Sequence, residues 1–228
     1  MSGSISLSAL RDQAQDRADM VGQSLVTPAQ WLYYINKSKD ALYDLLISAY
    51  GSDYYAADPL TISLVSGTER YALPTDYYKT IKVEYVIDSN NFYVLHRYNL
   101  SNTSRSSSFY PRNRYYTDYR YREVGDYLYF TPIPSGNSSV KLWYVPLATN
   151  LSADIDTLKG FSGWEEYIII DVAIKALRKE ESDTADHERD LARITKRLEE
   201  MAESRNIGEP YKIVDVDRQC GNDFYNEY

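Results

Sequence analysis

The sequence predicts an α+β fold: a discontinuous helical bundle from the N- and C-terminal helices, an inserted antiparallel β module, and an extended C-terminal arm. Three observations predict it. Apolar residues recur at helical spacing before residue 57 and again after Gly163. Between Leu60 and Pro146, short runs rich in Val, Ile, Thr and Tyr are broken by turn residues, the pattern of strands. Beyond Gly208 nothing is periodic. The expected domains are 1–57 with 158–207 for the bundle, 58–150 for the β module and 208–228 for the arm.

From Ser6 to Gly22, Leu7, Leu10, Ala14 and Val21 fall on one face of a helix, with Asp12, Asp16 and Asp19 mostly off it. A second helix starts at Thr27-Pro28-Ala29-Gln30, where Thr27 can cap, Pro28 suits the first helical position and Gln30 completes a capping box. It runs to Gly51, with Trp31, Ile35, Leu42, Leu45 and Ala49 as its apolar stripe. Six strands follow: Leu60 to Leu64, Arg70 to Ala72, Thr80 to Ile87, Phe92 to Leu95, Tyr127 to Phe130 and Val140 to Val145. Their spacing is hairpin-like and no helix intervenes, so antiparallel pairing is expected. Ser101 to Ser108 reads as a mobile loop. From Trp164 to Leu177 apolar residues surround the helix rather than striping it, so it must be buried on most sides. After Glu181-Ser182-Asp183 a further helix carries His187, Leu191, Ile194, Leu198 and Met201 as a short coiled-coil-like seam.

Composition removes several function classes. The chain has 228 residues, 33 acids against 25 Lys and Arg, and a net charge of −8. That is the wrong sign for a surface built to hold nucleic-acid phosphates throughout. No apolar run is long enough to span a bilayer and no secretory signal pattern opens the chain, so no membrane association or secretion is expected. One cysteine, Cys220, rules out an intrachain disulfide and a Cys-based zinc cluster. The excess of tyrosine, 24 residues, supplies large amphipathic contact area and points to interfaces.

Candidate chemistry is sparse. The two histidines, His96 and His187, read as structural, and Cys220 has no histidine near it in sequence. No phosphate-binding glycine loop and no His-Glu-x-x-His stands in the chain. Asp215-Val216-Asp217 fails as a calcium loop because Cys220 and Asn226 stand where Gly and Glu are needed. Glu165, Glu166 and Asp171 read as first-turn charges and a partner for Lys175 rather than as a catalytic cluster. Neither a catalytic residue, a metal ligand nor a cofactor is expected. The one basic island runs from Arg97 to Arg122, six arginines against Asp118 alone, interleaved with tyrosines. This mixture suits phosphate and base contacts and equally suits protein interfaces; the acidic balance of the remaining chain favours a protein partner.

The segment Trp164-Glu165-Glu166-Tyr167-Ile168-Ile169-Ile170-Asp171-Val172-Ala173-Ile174-Lys175-Ala176-Leu177, continued by Lys179-Glu180-Glu181-Ser182-Asp183, resembles the C-terminal helices of head-to-tail adaptor (connector) proteins of tailed bacteriophages. Tyr71-Ala72-Leu73-Pro74-Thr75-Asp76-Tyr77, Leu142-Trp143-Tyr144-Val145-Pro146 and the helix from Ile35 to Leu46 support the likeness. The resemblance implies a structural virion protein of the neck, with no enzymatic activity, assembled in the host cytoplasm. It implies a homo-oligomeric ring, typically of twelve copies, that docks on the portal protein and meets a tail or nozzle protein on its other face. DNA would pass through the channel without sequence-specific binding. Carried onto this chain, Tyr211, Ile213, Val214, Phe224, Tyr225 and Tyr228 become anchors of a portal-docking arm. Trp164, Tyr167, Ile168, Ile170 and Ile174 become a subunit-interface helix. Arg105, Arg112, Arg114, Tyr115, Tyr116, Arg120 and Arg122 become a tail-facing or nucleic-acid loop. A DNA-binding or DNA-gating protein using residues 97–122 is the alternative, and a cell-wall hydrolase using the paired carboxylates a third reading.

Overall fold

The computed structural model describes residues 5–99, 119–161 and 163–205. Among them are four α-helices, α1 (Leu7–Arg17), α2 (Pro28–Tyr50), α3 (Glu165–Glu180) and α4 (Ala185–Arg205). Eight strands lie between α2 and α3: β1 (Leu60–Leu64), β2 (Arg70–Ala72), β3 (Tyr77–Val86), β4 (Phe92–Val94), β5 (His96–Arg97), β6 (Arg120–Val124), β7 (Tyr127–Thr131) and β8 (Ser138–Pro146). The fold is α+β, as the periodicities predict.

Local chemistry sets the helix ends. Ser6 Oγ accepts from the Ala9 amide and starts α1. Thr27 and Gln30 form the expected capping box, each side chain accepting from the other's backbone amide, and Gly51 closes α2. The first helix stops at Arg17, not at Gly22. Asp19 takes a positive φ of 54°, and the Met20 amide reaches back to the Gln15 carbonyl, which turns the chain so that Met20 and Val26 enter the core. Val21, expected on the apolar stripe, is exposed.

The other three helices, α1, α2 and α4, pack around α3. Their core takes Leu10, Trp31, Ile35, Leu42, Leu46, Ile168 and Val172, and it draws in Val145 from the end of β8 and Leu151, Leu158 and Phe161 from the chain beyond it. Fully burying one such side chain contributes about 1.5–3 kcal/mol. The expected seam of α4 points inward at Leu191, Ile194, Leu198 and Met201.

The strands form two four-stranded sheets, ordered β1-β8-β3-β4 and β2-β7-β6-β5. Leu64, Val83, Val140 and Leu142 of the first meet Tyr121, Leu128 and Phe130 of the second in one separate cluster. Two features depart from the sequence reading. Arg120–Val124 is a strand, and β5 pairs with β6 in parallel, His96 opposite Arg120 and Arg97 opposite Tyr121. The connection between them is long enough for the crossover that a parallel pair needs.

Candidate functional site

The two clusters are joined by the chain leaving β8, and α2 holds that chain with a polar ladder. Lys39 is 1% exposed, yet its amine donates to the carbonyls of Ala148 (3.1 Å) and Thr149 (2.7 Å) and to Asn150 Oδ1 (3.2 Å). One turn earlier, Asn36 donates to the Leu151 carbonyl and accepts from the Leu151 amide. One turn later, Tyr43 donates to the Pro146 carbonyl at 2.9 Å. Burial holds the Lys39 amine below its ordinary pKa, and burial raises the Tyr43 phenol to about 12. The sequence signal for this ladder is a lysine inside the apolar stripe, four residues after Ile35 and three before Leu42.

Beside the ladder lies a run of rings. Tyr43 meets Tyr55 edge-on at 5.0 Å and Phe161 at 5.9 Å, and Tyr50 stacks on Tyr54 at 5.0 Å. Tyr55 donates to the Gly160 carbonyl, and its phenol is pushed up by burial. Tyr78 donates to Asp44, which with burial raises its pKa to about 12. Tyr54, between Tyr50 and Tyr55 in this run, is 65% exposed.

The apolar helix α3 is met inside the subunit. Trp164, Tyr167, Ile168, Ile170 and Ile174 are all buried by side chains of the same chain. Within the single chain each keeps at most 8% of its area exposed. The carboxylates near them are structural as well: Glu165 accepts from the Gly163 amide, Glu166 pairs with Arg17 at 3.2 Å, and Asp171 pairs with Lys175 at 2.5 Å. Lys175 also donates to Ser38.

The basic island divides. Arg97 pairs with Glu123 at 2.7 Å. Arg122 lies on the solvent side of the second sheet, its guanidinium 5.2 Å from the Tyr129 ring and 5.5 Å from the Tyr98 ring. Arg70 sits opposite Tyr129 on the next strand and lies over Tyr127 at 5.2 Å. Arg120 stands opposite His96, and His96 is exposed. His187 approaches the Arg17 carbonyl through Nε2 at 3.3 Å, a contact within the bundle.

Several expected site residues lie outside the described residues: Arg105, Arg112, Arg114, Tyr115 and Tyr116 of the loop, and Tyr211, Ile213, Val214, Phe224, Tyr225 and Tyr228 of the arm. The low-complexity stretch Ser101 to Ser108 and Cys220 lie there too. Among the described residues, no group of three His, Cys, Asp or Glu side chains is placed to hold a metal ion, and no helix is long and apolar enough to cross a membrane.

No curated protein matches the chain. The family model described as "SU10 adaptor protein" matches residues 5–211, from the start of α1 past the end of α4, and so includes the bundle, both sheets and the ladder that joins them. This is a bacteriophage head-to-tail adaptor family, whose members are structural proteins of the virion. With the match covering nearly the whole chain, the protein belongs to the SU10 adaptor protein family.

Proposed function

We propose that this adaptor forms a ring of twelve copies that docks on the portal, continues its channel toward the tail, and passes DNA without sequence-specific binding. The family match over residues 5–211 carries this reading. Residues 1–57 and 158–207 form the body of the ring, and 58–150 face a tail or nozzle protein through the Arg- and Tyr-rich 97–122 segment. The arm, 208–228, docks on the portal through Tyr211, Ile213, Val214, Phe224, Tyr225 and Tyr228, a set of large anchors suited to interface hot spots.

Ring contacts are heterologous, one patch meeting a different patch on the next copy. Since α3 is covered within the subunit, those contacts run over side chains that stay exposed, such as Tyr54 and Ile155. The net charge of −8 suits a conduit that must repel phosphates rather than hold them. The protein is not an enzyme in this reading: Glu165, Glu166 and Asp171 all have structural partners. Assembly takes place in the host cytoplasm.

Cryo-electron microscopy of the protein mixed with the portal rings of its own phage tests the proposal. A symmetric collar below the portal, with C-terminal segments ordered on the portal surface, is the expected result. Decoration of added duplex DNA with bare portal rings would overturn it in favour of the DNA-binding reading.

A further inference from the structure

We infer that the solvent face of the β2-β7-β6-β5 sheet is the resting site of the chain's own acidic C-terminal segment, 209–228, in the free subunit. Arg70, Tyr129 and Arg122 stand directly opposite one another across β2, β7 and β6, and Tyr98 flanks the row. The tyrosine rings hold both guanidinium planes but, being neutral, do not match their charge. Among the described residues no carboxylate lies within ion-pair distance of Arg70 or Arg122, whereas the neighbouring Arg97 is neutralised by Glu123. Among the described residues Arg122 Nε is buried with no acceptor. The face therefore presents fixed positive charge among aromatic rings, which suits carboxylates spaced by apolar side chains.

The segment 209–228 has that chemistry. It carries Glu209, Asp215, Asp217, Asp223 and Glu227 against Lys212 and Arg218. Asp215 and Asp217 alternate with Val214 and Val216, so an extended backbone would place both carboxylates on one side. Its starting point lies on the strand side of the bundle. Arg197 of α4 lies over the Trp164 ring at 4.8 Å, and Trp164 Nε1 donates to the Tyr50 hydroxyl at the end of α2, where the chain turns toward β1. The helix continues to Arg205, so the segment leaves the bundle at the end that adjoins the strands. Ten residues from Arg205 to Asp215 reach at most about 33–36 Å when extended. Tethering sets an effective concentration on the order of millimolar, so a weak contact suffices. A parked segment gives the free subunit one use for its arm before any partner is met. The inference goes beyond the adaptor reading and does not depend on portal docking.

The test uses the full-length protein and its single cysteine. A nitroxide attached to Cys220, with 15N-labelled protein and no portal present, is expected to cause loss of amide peak intensity at Arg70, Arg122, Tyr127 and Tyr129. The loss should vanish in Asp215→Asn/Asp217→Asn protein and in high salt. Because Arg122 is packed between rings, Arg70→Gln on the exposed edge strand supplies a second variant that spares the core, and it too should restore intensity. Unchanged intensity at these four amides, or loss that survives Arg70→Gln and salt, would overturn the inference. Loss seen equally in 15N protein mixed with spin-labelled 14N protein would also overturn it, by making the contact intermolecular. Since no portal is present, none of these outcomes bears on the collar expected from electron microscopy.

Discussion

The Lys39 amine donates to the Thr149 carbonyl at 2.7 Å from a side chain that is almost wholly buried, and so ties the middle of α2 to the chain that returns from the sheets. Three acceptors from residues 148–150 surround that amine, and Asp40 Oδ1 lies at 3.3 Å. Replacing it with methionine keeps the stem's volume but leaves two backbone carbonyls without their donor. Orphaning buried polar groups costs about 1–3 kcal/mol each. We expect Lys39→Met to lower unfolding stability by about 2 kcal/mol and to speed hydrogen exchange at the Leu151 amide, which Asn36 holds one turn away. Unchanged exchange at Leu151 would show that the ladder's rungs act independently.

Ile168 separates two accounts of α3. Its side chain is fully buried within one subunit, so Ile168→Ala should lower the stability of the free protein by about 2–5 kcal/mol, read by denaturant unfolding. If the helix served mainly as a contact between copies, the free protein would unfold as before and only ring formation would suffer. Normal stability of the free variant would therefore contradict the packing described above.

Alkaline pH should unfold the protein through its buried phenols. Tyr43 has a folded pKa of about 12, raised by burial, against about 10 in an unfolded chain. A raised folded value means that the stabilisation is complete below pH 10 and is lost as pH climbs through about 12. The two-unit difference corresponds to on the order of 2–3 kcal/mol for this group. Tyr55 shifts in the same direction through burial. Lys39 has the opposite sign: its folded pKa is depressed, so its contribution improves as pH rises toward the unfolded lysine value. Tyr43→Phe should flatten the decline in melting temperature above pH 10, and an unchanged decline would assign it to other groups.

These residues mark how far the sequence could be read. The capping box at Thr27 and Gln30, the strands β1 and β2, and the inward seam of α4 follow from rules that act within a few residues, and they stand where the periodicities put them. The apolar belt of α3 was legible as burial, but not what buries it. A helix wrapped by three others of its own chain and one covered by a neighbour have the same pattern. Strand β6 was hidden because Arg120 and Arg122 alternate with Tyr119 and Tyr121. Here arginine occupies the outer face and tyrosine the inner, a valid strand alternation in residues that read as a charged loop. Lys39 was hidden by the opposite conflict, a charge at a core position whose acceptors lie more than a hundred residues away.

The acidic pair at the start of α3 should be dispensable. Glu165 accepts from the Gly163 amide and Glu166 meets Arg17 in a partly exposed ion pair. Such pairs contribute about 0–1 kcal/mol, and first-turn carboxylates add a few tenths through the helix dipole. Glu165→Gln/Glu166→Gln should cost about 1 kcal/mol or less and leave virion assembly and infectivity intact. Loss of infectivity in a normally folded variant would reopen a catalytic reading of this corner.

Removal of residues 209–228 tests the arm itself. Among the described residues the bundle cluster reaches Ala202 on α4, and the β cluster is built from residues of the strands and their flanks, Ala57 to Tyr144. The truncated chain should therefore unfold at close to the full-length midpoint, whereas the removed segment carries the large anchors Tyr211, Ile213, Val214, Phe224, Tyr225 and Tyr228. Burying several such side chains at about 1.5–3 kcal/mol each accounts for most of a tight contact, so their removal cannot be compensated by the rim. Portal rings incubated with truncated protein should sediment alone, while full-length protein co-sediments. Because apolar anchors are insensitive to screening, the full-length association should persist in high salt, unlike a phosphate-mediated one. Co-sedimentation of the truncated protein would move the portal contact onto the bundle and leave the C-terminal segment free for another role.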